Sequence, residues 1–370
     1  MKAAGKTGIS DGVSGKKVYL EALRLLAIIF ILYQHQPAYN LFLVSSGPVW
    51  WFYAGLSVFT RMNVPTFFMI SGALLLPKKE DLKTLFKKRI LRHSLVILIF
   101  SLIYYILYCS REGLPGGSIG YAAWDFTARV FSNTVEGSEE LWFLYAYLGF
   151  LLMLTFLRRI AESCTKKDLP YLAVLRLILC SLPPALNLLL RKLQLREFGF
   201  SEDFILPLVV FDTFFFTLFG FLLDQTEVSR FKRRERFSLI LLLAFSILCP
   251  LFFTFLDRQM SGESTQNFIR QFDFVLAGSL FLLVKYLFSE VPAFRRKGLE
   301  KTVLFLGSLS FGVYLFDHLL KEVLWSSYYL NVEPYLPTIL MSAGWILLSF
   351  TICGGAAWLL KKLPGIRSLL

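Results

Sequence analysis

Long apolar stretches, separated by polar loops, recur along the whole chain. Each stretch runs for about 18 to 24 residues, which is the length that an α-helix needs to cross the hydrocarbon core of a bilayer. This pattern predicts an all-α integral membrane protein, a bundle of about ten transmembrane helices. The predicted spans lie near 18–43, 48–76, 90–110, 140–157, 169–190, 203–223, 237–256, 267–288, 303–320 and 335–360. The second span is the least regular, because Arg61, Asn63 and Pro65 interrupt it.

The composition supports the membrane assignment. Hydrophobic residues make up 56% of the 370 residues, 38 residues are Phe, and the mean hydropathy is +0.59. One soluble core of this size cannot bury so much apolar surface. Lysine and arginine concentrate on the cytoplasmic side of membrane proteins. The loops on one side of the predicted bundle carry 26 of the 39 Lys and Arg residues, and the opposite loops carry 7.

This charge asymmetry predicts that both termini are cytoplasmic. It divides the chain into a cytoplasmic tail at 1–17, a transmembrane domain at 18–360 and a second cytoplasmic tail at 361–370. The net charge of +13 is then explained by topology and by attraction to anionic membrane lipid, so no nucleic-acid partner is expected. The five cysteines have no paired spacing, and neither a disulfide framework nor a metal site is predicted.

Arg24 and His35 are the most informative polar residues of the first span. They lie eleven positions apart. Eleven steps of an α-helix return to within about 20° of the same face and climb about 16 Å. Ionisable groups inside a bilayer are expensive, so the default hypothesis is a functional site. A neutral imidazole there would act as a general base toward a hydroxyl, and the arginine would fix an anionic group.

A purely structural explanation of these polar residues stays open. Arg24 is close enough to the basic end to extend its side chain back to the cytoplasmic interface, and His35 lies near the outer end, where a polar ring is tolerated. The aspartates within spans, Asp212, Asp273 and Asp317, also have two explanations. They either pair helices by hydrogen bonds and ion pairs, or some of them orient His35 or bind the acceptor.

Further segments, in order along the chain, complete a recognisable pattern. Arg24 and His35, with ten residues between them, resemble the first-span motif of the membrane-bound acyltransferase 3 family. Other segments are similar to further motifs of that family, namely 64–72 preceded by Arg61, the paired arginines Arg89 and Arg92, 141–144 and 311–315. The resemblance covers nearly the whole chain.

The chain departs from the family pattern at two places. Members often have a histidine just before the segment at 141–144, where this chain has Glu139 and Glu140. Members also often have Tyr-Leu-x-His in the ninth span, where this chain reads Tyr-Leu-Phe-Asp-His at 314–318. Either Asp317 replaces the family histidine, or His318, one step around the helix, takes over its role.

The resemblance implies an O-acyltransferase of the cytoplasmic membrane. Acyl-CoA, most simply acetyl-CoA, would be the co-substrate, no cofactor would be bound, and the acceptor would be a hydroxyl of a cell-surface glycan or of its lipid-linked precursor. His35 would be the base and Arg24 would place the donor. Arg89 and Arg92 would bind the phosphates of acyl-CoA, although the positive-inside rule alone also explains them. Acceptor-side or supporting roles fall to Arg61, Glu140, Trp142, Asp317 and His318.

The rival interpretation is a transporter, either an exporter or a flippase of a polysaccharide or lipid-linked sugar. The intramembrane aspartates would then form a proton relay. The sequence shows no pair of Gly/Pro-broken helices in corresponding halves, which many transporters use to build their binding site. Turnover of acyl-CoA by purified protein distinguishes the two functions, since a transporter should be silent in that assay.

Overall fold

The computed structural model describes residues 17–201, 203, 206–333 and 337–369, and this part of the chain contains helices and no strand. The tail predicted at 1–17 lies outside it, except for Lys17. The longer helices are α1 (Val18–Gln34), α2 (Gly47–Thr60), α3 (Asn63–Leu75), α4 (Leu82–Glu112), α5 (Ile119–Ser132), α6 (Glu139–Ser163), α7 (Asp168–Lys192), α8 (Asp212–Asp224), α9 (Arg233–Ser261), α10 (Asp273–Glu290), α11 (Lys297–Val332) and α12 (Thr338–Leu360). Short helical turns lie at Pro37–Asn40, Leu41–Val44, Pro115–Gly117, Pro207–Val210, Val228–Arg230, Pro292–Arg295 and Ile366–Ser368.

The helix lengths show a multi-pass membrane protein. In the described part of the chain, seven helices are long and apolar enough to cross a membrane when α2 and α3 are counted as one helix, Gly47–Leu75. An eighth is added if α1 and the bent segment after it form one span. The sequence predicted about ten. The two predicted spans without such a helix, near 203–223 and 267–288, correspond to α8, which has only 13 residues, and to α10, which has 18 residues that include Asp273, Lys285 and Glu290.

The first predicted span is bent rather than continuous. α1 ends at Gln34, and the chain turns by 78° into the short helical segment Pro37–Val44. The residue before a proline is disfavoured in helical conformation, and Gln36 is accordingly extended, with φ −107° and ψ 152°. His35 therefore caps the end of α1, and its backbone N–H donates to the Ile31 carbonyl at 3.0 Å.

Two glycines allow the backbones of α3 and α8 to touch. A Cβ atom on Gly72 would lie 1.8 Å from the backbone oxygen of Thr217, and one on Gly220 would lie 2.3 Å from the Cα of Met69. Small residues serve this purpose in membrane proteins, where close packing drives helix association. The crossing buries most of α8 and brings its first residue, Asp212, to the same cavity as the start of α3.

α11 packs along both α1 and α12. On α11, Gly307 faces Glu21 of α1, and a Cβ atom there would lie 2.7 Å from the carboxylate of Glu21. Ten residues further along α11, Asp317 is fully buried between α1 and α12. The close packing of these three helices therefore places an acidic side chain of α11 beside the end of α1.

Candidate functional site

The His35 ring lies between two carboxylates. Its Nδ1 is 2.8 Å from Oδ2 of Asp317, and its Nε2 is 2.9 Å from Oε2 of Glu140. Asp317 is fully buried, and its second oxygen accepts a hydrogen bond from the Ser349 hydroxyl on α12. The Glu140 side chain, by contrast, is 32% exposed. One carboxylate is therefore fixed in the helix bundle, and the other lies at an open surface.

This arrangement defines the proton positions on the ring. A neutral imidazole donates from only one nitrogen, so two ionised carboxylates on His35 require hydrogens on both. The bond to Asp317 assigns one hydrogen to Nδ1 and aligns the ring. Nε2 becomes a proton acceptor when it has lost its hydrogen and Glu140 has moved away. Chemically, the site is a histidine oriented by a buried aspartate, with a partly exposed glutamate at its second nitrogen.

Two side chains of α11 donate hydrogen bonds to backbone carbonyls of the site. The Lys321 ammonium donates to the His35 carbonyl at 2.6 Å, which satisfies an oxygen left free at the end of α1. The Tyr314 hydroxyl donates to the backbone carbonyl of Glu140. Both contacts come from α11, so this helix positions the histidine and its two carboxylates together.

The His35 ring opens onto a cavity of about 450 Å³, which we call the histidine cavity. Its volume is within the range of small-molecule sites. Its polar walls come from the ends of several helices and include Gln34, His35, Tyr39, Arg61, Asn63, Glu140, Trp142, Asp212, Arg270 and Asp273.

A second cavity, of about 300 Å³, lies toward the basic end of the bundle. We call it the arginine cavity, because Arg24, Arg89 and Arg92 line it together with Ser71, His93, Tyr147, Ser308 and Ser310. The two cavities have three lining residues in common, Ile31, Phe143 and Tyr314. These three side chains therefore form a wall that the two cavities share.

Arg24 and His35 line different cavities. Arg24 lies in the arginine cavity and forms an ion pair with Glu21, one turn earlier on α1, at 2.6 Å. Ile31 lies between the two residues on the same helix and contributes to both cavities. The stripe predicted from their spacing thus runs through the wall between the cavities.

Arg89 and Arg92 also line the arginine cavity, and each has an internal partner. Arg89 donates two hydrogen bonds to Glu80, at 2.7 and 3.0 Å, and Arg158 binds the same carboxylate at 2.9 Å. The Arg89 guanidinium, with help from Arg158, lowers the pKa of Glu80 to about 2. Arg92 donates to the backbone carbonyl of Leu369 at 3.2 and 3.3 Å. An anionic ligand would have to displace these partners.

His93 is a polar cavity residue that the sequence analysis missed. Its Nδ1 lies 2.9 Å from the Arg89 carbonyl, so this nitrogen donates and Nε2 is left as an acceptor toward the arginine cavity. The available signal was a histidine directly after Arg92, one of only three in the chain. The basic residues before it were explained by membrane topology, and the histidine was given no role.

The two residues considered as replacements for the family histidine have different surroundings. Asp317 contacts His35, whereas His318 faces away, with its ring 5.7 Å from that of Tyr104 and 3.8 Å from the Glu322 carboxylate. His318 lines a separate cavity of about 240 Å³. Geometry therefore joins Asp317, and not His318, to the histidine.

The remaining predicted acceptor-side residues, Arg61 and Trp142, both line the histidine cavity. Asp212, also in that cavity, forms ion pairs with Arg176 and with Arg270, the latter at 2.8 Å. These contacts join α7, α8 and the segment before α10, as the helix-pairing explanation expects. Among the described residues, no group of three or more His, Cys, Asp and Glu side chains is arranged to hold a metal ion.

Together the fold and the site define a multi-pass helical membrane protein with a carboxylate-oriented histidine in one cavity and a group of arginines in the neighbouring one. The chain belongs to the acyltransferase 3 family, whose acyltransferase domain matches it over residues 17–360. This match confirms the resemblance seen in the sequence. No curated protein and no solved structure gives a significant match.

Proposed function

We propose that this protein transfers an acyl group, most simply acetyl, from cytosolic acyl-CoA to a hydroxyl of a cell-surface glycan or its lipid-linked precursor. It does so in the cytoplasmic membrane, with both termini inside, and with α8 and α10 as short spans enclosed by the longer helices. The observation that supports this best is the histidine held by Asp317 in a cavity that shares a wall with the arginine cavity. The family supplies acyl transfer in general.

The donor enters through the arginine cavity. Acyl-CoA carries several phosphates, which exchange with the internal partners of Arg89 and Arg92 by charge-assisted hydrogen bonds. The extended pantetheine arm then follows the cavity past Arg24 and His93. The thioester reaches the shared wall at Ile31, Phe143 and Tyr314, and His35 lies on its other side.

The acceptor enters through the histidine cavity, and its hydroxyl takes the place of the Glu140 carboxylate at Nε2 of a neutral His35. The hydroxyl oxygen attacks the thioester carbonyl carbon while Nε2 takes the hydroxyl proton. The carbon–sulfur bond then breaks, the acyl group stays on the acceptor oxygen, and the proton passes to the thiolate of CoA. Asp317 keeps the ring aligned and stabilises the imidazolium that forms.

Oriented proteoliposomes test this function and its sidedness. With acetyl-CoA sealed on the side of the basic loops, an impermeant glycan acceptor on the opposite side should become acetylated. His35→Ala should abolish the product, since loss of a general base typically costs about 10² to 10⁴ in rate. Acetylation only when donor and acceptor share one compartment would contradict the transmembrane geometry, and transfer of unmodified glycan across the bilayer would support the exporter instead.

A further inference from the structure

Asp273 is a buried carboxylate with no direct partner. It is 5% exposed and begins α10, and within the described part of the chain its carboxylate makes no hydrogen bond and no ion pair. An ionised carboxylate in a low-dielectric site is costly unless it is paired. Asp273 lines the histidine cavity, so its oxygens are available to a ligand there.

Arg61 is a cationic residue of the same cavity that also has no ion pair among the described residues. It lines the same cavity, and in the described structure its guanidinium makes one hydrogen bond, to the Tyr39 hydroxyl at 3.2 Å, and no ion pair. The amide nitrogen of Gln34 is buried at the same wall without an acceptor. The cavity therefore offers one free acidic acceptor and two sets of free donors.

Asp273 and Arg61 are the two charged side chains of this cavity that make no ion pair within the described part of the chain. Asp212 forms ion pairs with two arginines, Arg176 and Arg270, and His35 lies between two carboxylates, Glu140 and Asp317. With His35 protonated, the extra positive charge of the first group offsets the extra negative charge of the second, and Arg61 offsets Asp273. An anionic acceptor would gain Arg61 but would meet the unpaired carboxylate of Asp273, and a cationic acceptor would meet the reverse conflict. A neutral polyol has neither conflict, because each hydroxyl both donates and accepts.

We propose that Asp273 and Arg61 are the specificity-determining residues for the acceptor, and that this acceptor is an uncharged sugar or polyol unit whose neighbouring hydroxyls bridge them. The inference rests on the proposed function, because it assigns the acceptor to the cavity that contains His35. Asp273 accepts hydrogen bonds from the hydroxyls, Arg61 donates to them, and one hydroxyl of the same unit reaches His35.

Asp273 also has a structural alternative, since an acidic residue in the first turn of a helix is stabilised by the helix dipole. That role affects stability and leaves acceptor recognition unchanged. A matched control exists in Asp257, which is 4% exposed and accepts a hydrogen bond from Thr265 at 2.5 Å outside the histidine cavity.

The test compares Asp273→Asn, Arg61→Gln and Asp257→Asn in proteoliposomes with acetyl-CoA. The acceptors are methyl glucoside, glucuronic acid and glucosamine, which present similar rings with neutral, negative and positive charge. Wild type should prefer the neutral ring. Asp273→Asn and Arg61→Gln should each raise its KM about tenfold, as expected for one lost charge-assisted hydrogen bond. The KM for acetyl-CoA should stay within about twofold, and Asp257→Asn should change neither KM.

Binding without chemistry separates this inference from the proposed function. Saturation-transfer NMR with methyl glucoside and no acetyl-CoA should detect binding to wild type and to Asp257→Asn, and a loss of binding in Asp273→Asn. That result supports the site even if acetyl transfer is absent. Preference for the charged rings, or equal binding of methyl glucoside by wild type and Asp273→Asn, would overturn the assignment while leaving the role of His35 intact.

Discussion

The histidine cavity and the arginine cavity differ in how their charged residues are satisfied. In the histidine cavity, Asp273 and Arg61 have no ionic partner among the described residues. In the arginine cavity, each arginine has an internal partner. Arg24 binds Glu21, Arg89 binds Glu80, and Arg92 binds the Leu369 carbonyl. The histidine cavity thus has unpaired charged groups for a ligand, although Glu140 has to leave His35, whereas every arginine of the other cavity has to exchange its partner.

The difference has a physical reason in the chemistry of the two proposed ligands. A neutral polyol makes hydrogen bonds of modest energy, so Asp273 and Arg61 bind it best when neither has an internal ionic partner. A phosphate-rich donor carries enough charge to displace a carboxylate or a carbonyl oxygen from arginine. Internal partners also keep the arginines from standing unpaired in a partly buried site when the donor is absent.

The largest effect should come from removing the alignment of His35. Asp317→Asn keeps the shape of the side chain but offers an amide that can donate to Nδ1, which favours the wrong tautomer. The turnover number should fall by about 10² to 10⁴, with little change in either KM. Steady-state kinetics of acetyl transfer measure this.

His318→Ala is the control for that prediction, because the ring lies in a separate cavity and neither nitrogen has a hydrogen-bond partner among the described residues. It should keep most of the activity. A large loss in His318→Ala together with an active Asp317→Asn would transfer the supporting role to His318.

The next effect should come from blocking the wall between the cavities. Ile31→Trp adds bulk at a position that both cavities share, so the donor arm should no longer reach His35. Overpacking of this kind costs about 1 to 3 kcal/mol when a structure must adjust, and acetyl transfer should fall by at least about tenfold. Methyl glucoside binding by saturation-transfer NMR should persist.

Ile31→Val is the matched control, since it opens the wall slightly and should retain transfer. Full activity in the tryptophan variant would show that the acyl group does not pass at this point.

Smaller effects should distinguish Arg89 from Arg92 in the arginine cavity. Arg92→Gln removes a phosphate contact whose internal partner is only a carbonyl, so the KM for acetyl-CoA should rise about tenfold and become less sensitive to salt. Arg89→Gln leaves Glu80 with Arg158 alone, so it should mainly lower stability, by about 1 to 3 kcal/mol. Kinetics at two ionic strengths and thermal melting in detergent measure both. Equal KM changes without any loss of stability in Arg89→Gln would contradict the difference between them.

The sequence predicted the membrane class correctly, because the length of an apolar run is a local signal. The predicted first span continued through Pro37, although a proline is a sequence signal for a helix break. The chain bends there, and the bend places His35 at the end of α1. The contact between His35 and Asp317 joins residues 282 positions apart. Spacing along one helix carries no information about such a partner, so the sequence left Asp317 and His318 as alternatives.

The predicted spans near 203–223 and 267–288 show the opposite limit. Hydropathy detects apolar runs, but it does not show that a helix within such a run begins at a charged residue. α8 begins at Asp212 and α10 at Asp273, which leaves them as shorter or more polar helices. The same two residues line the histidine cavity, so the departures from hydropathy coincide with the candidate site.

The smallest effect concerns Glu80, which keeps Arg89 occupied. The Arg89 guanidinium lowers the pKa of this carboxyl from its ordinary value of 4.5 to about 2 in the folded protein. The ion pair therefore stabilises the fold fully above pH 4.5, and this stabilisation is lost as the pH falls toward 2. Glu80→Gln should melt at a lower temperature than wild type at pH 6, and the gap should narrow at pH 3. The same variant frees Arg89, so its KM for acetyl-CoA at neutral pH should fall. A gap that stays constant with pH would mean that Glu80 does not hold Arg89 by charge, and the contrast between the two cavities would then rest on Arg24 and Arg92 alone.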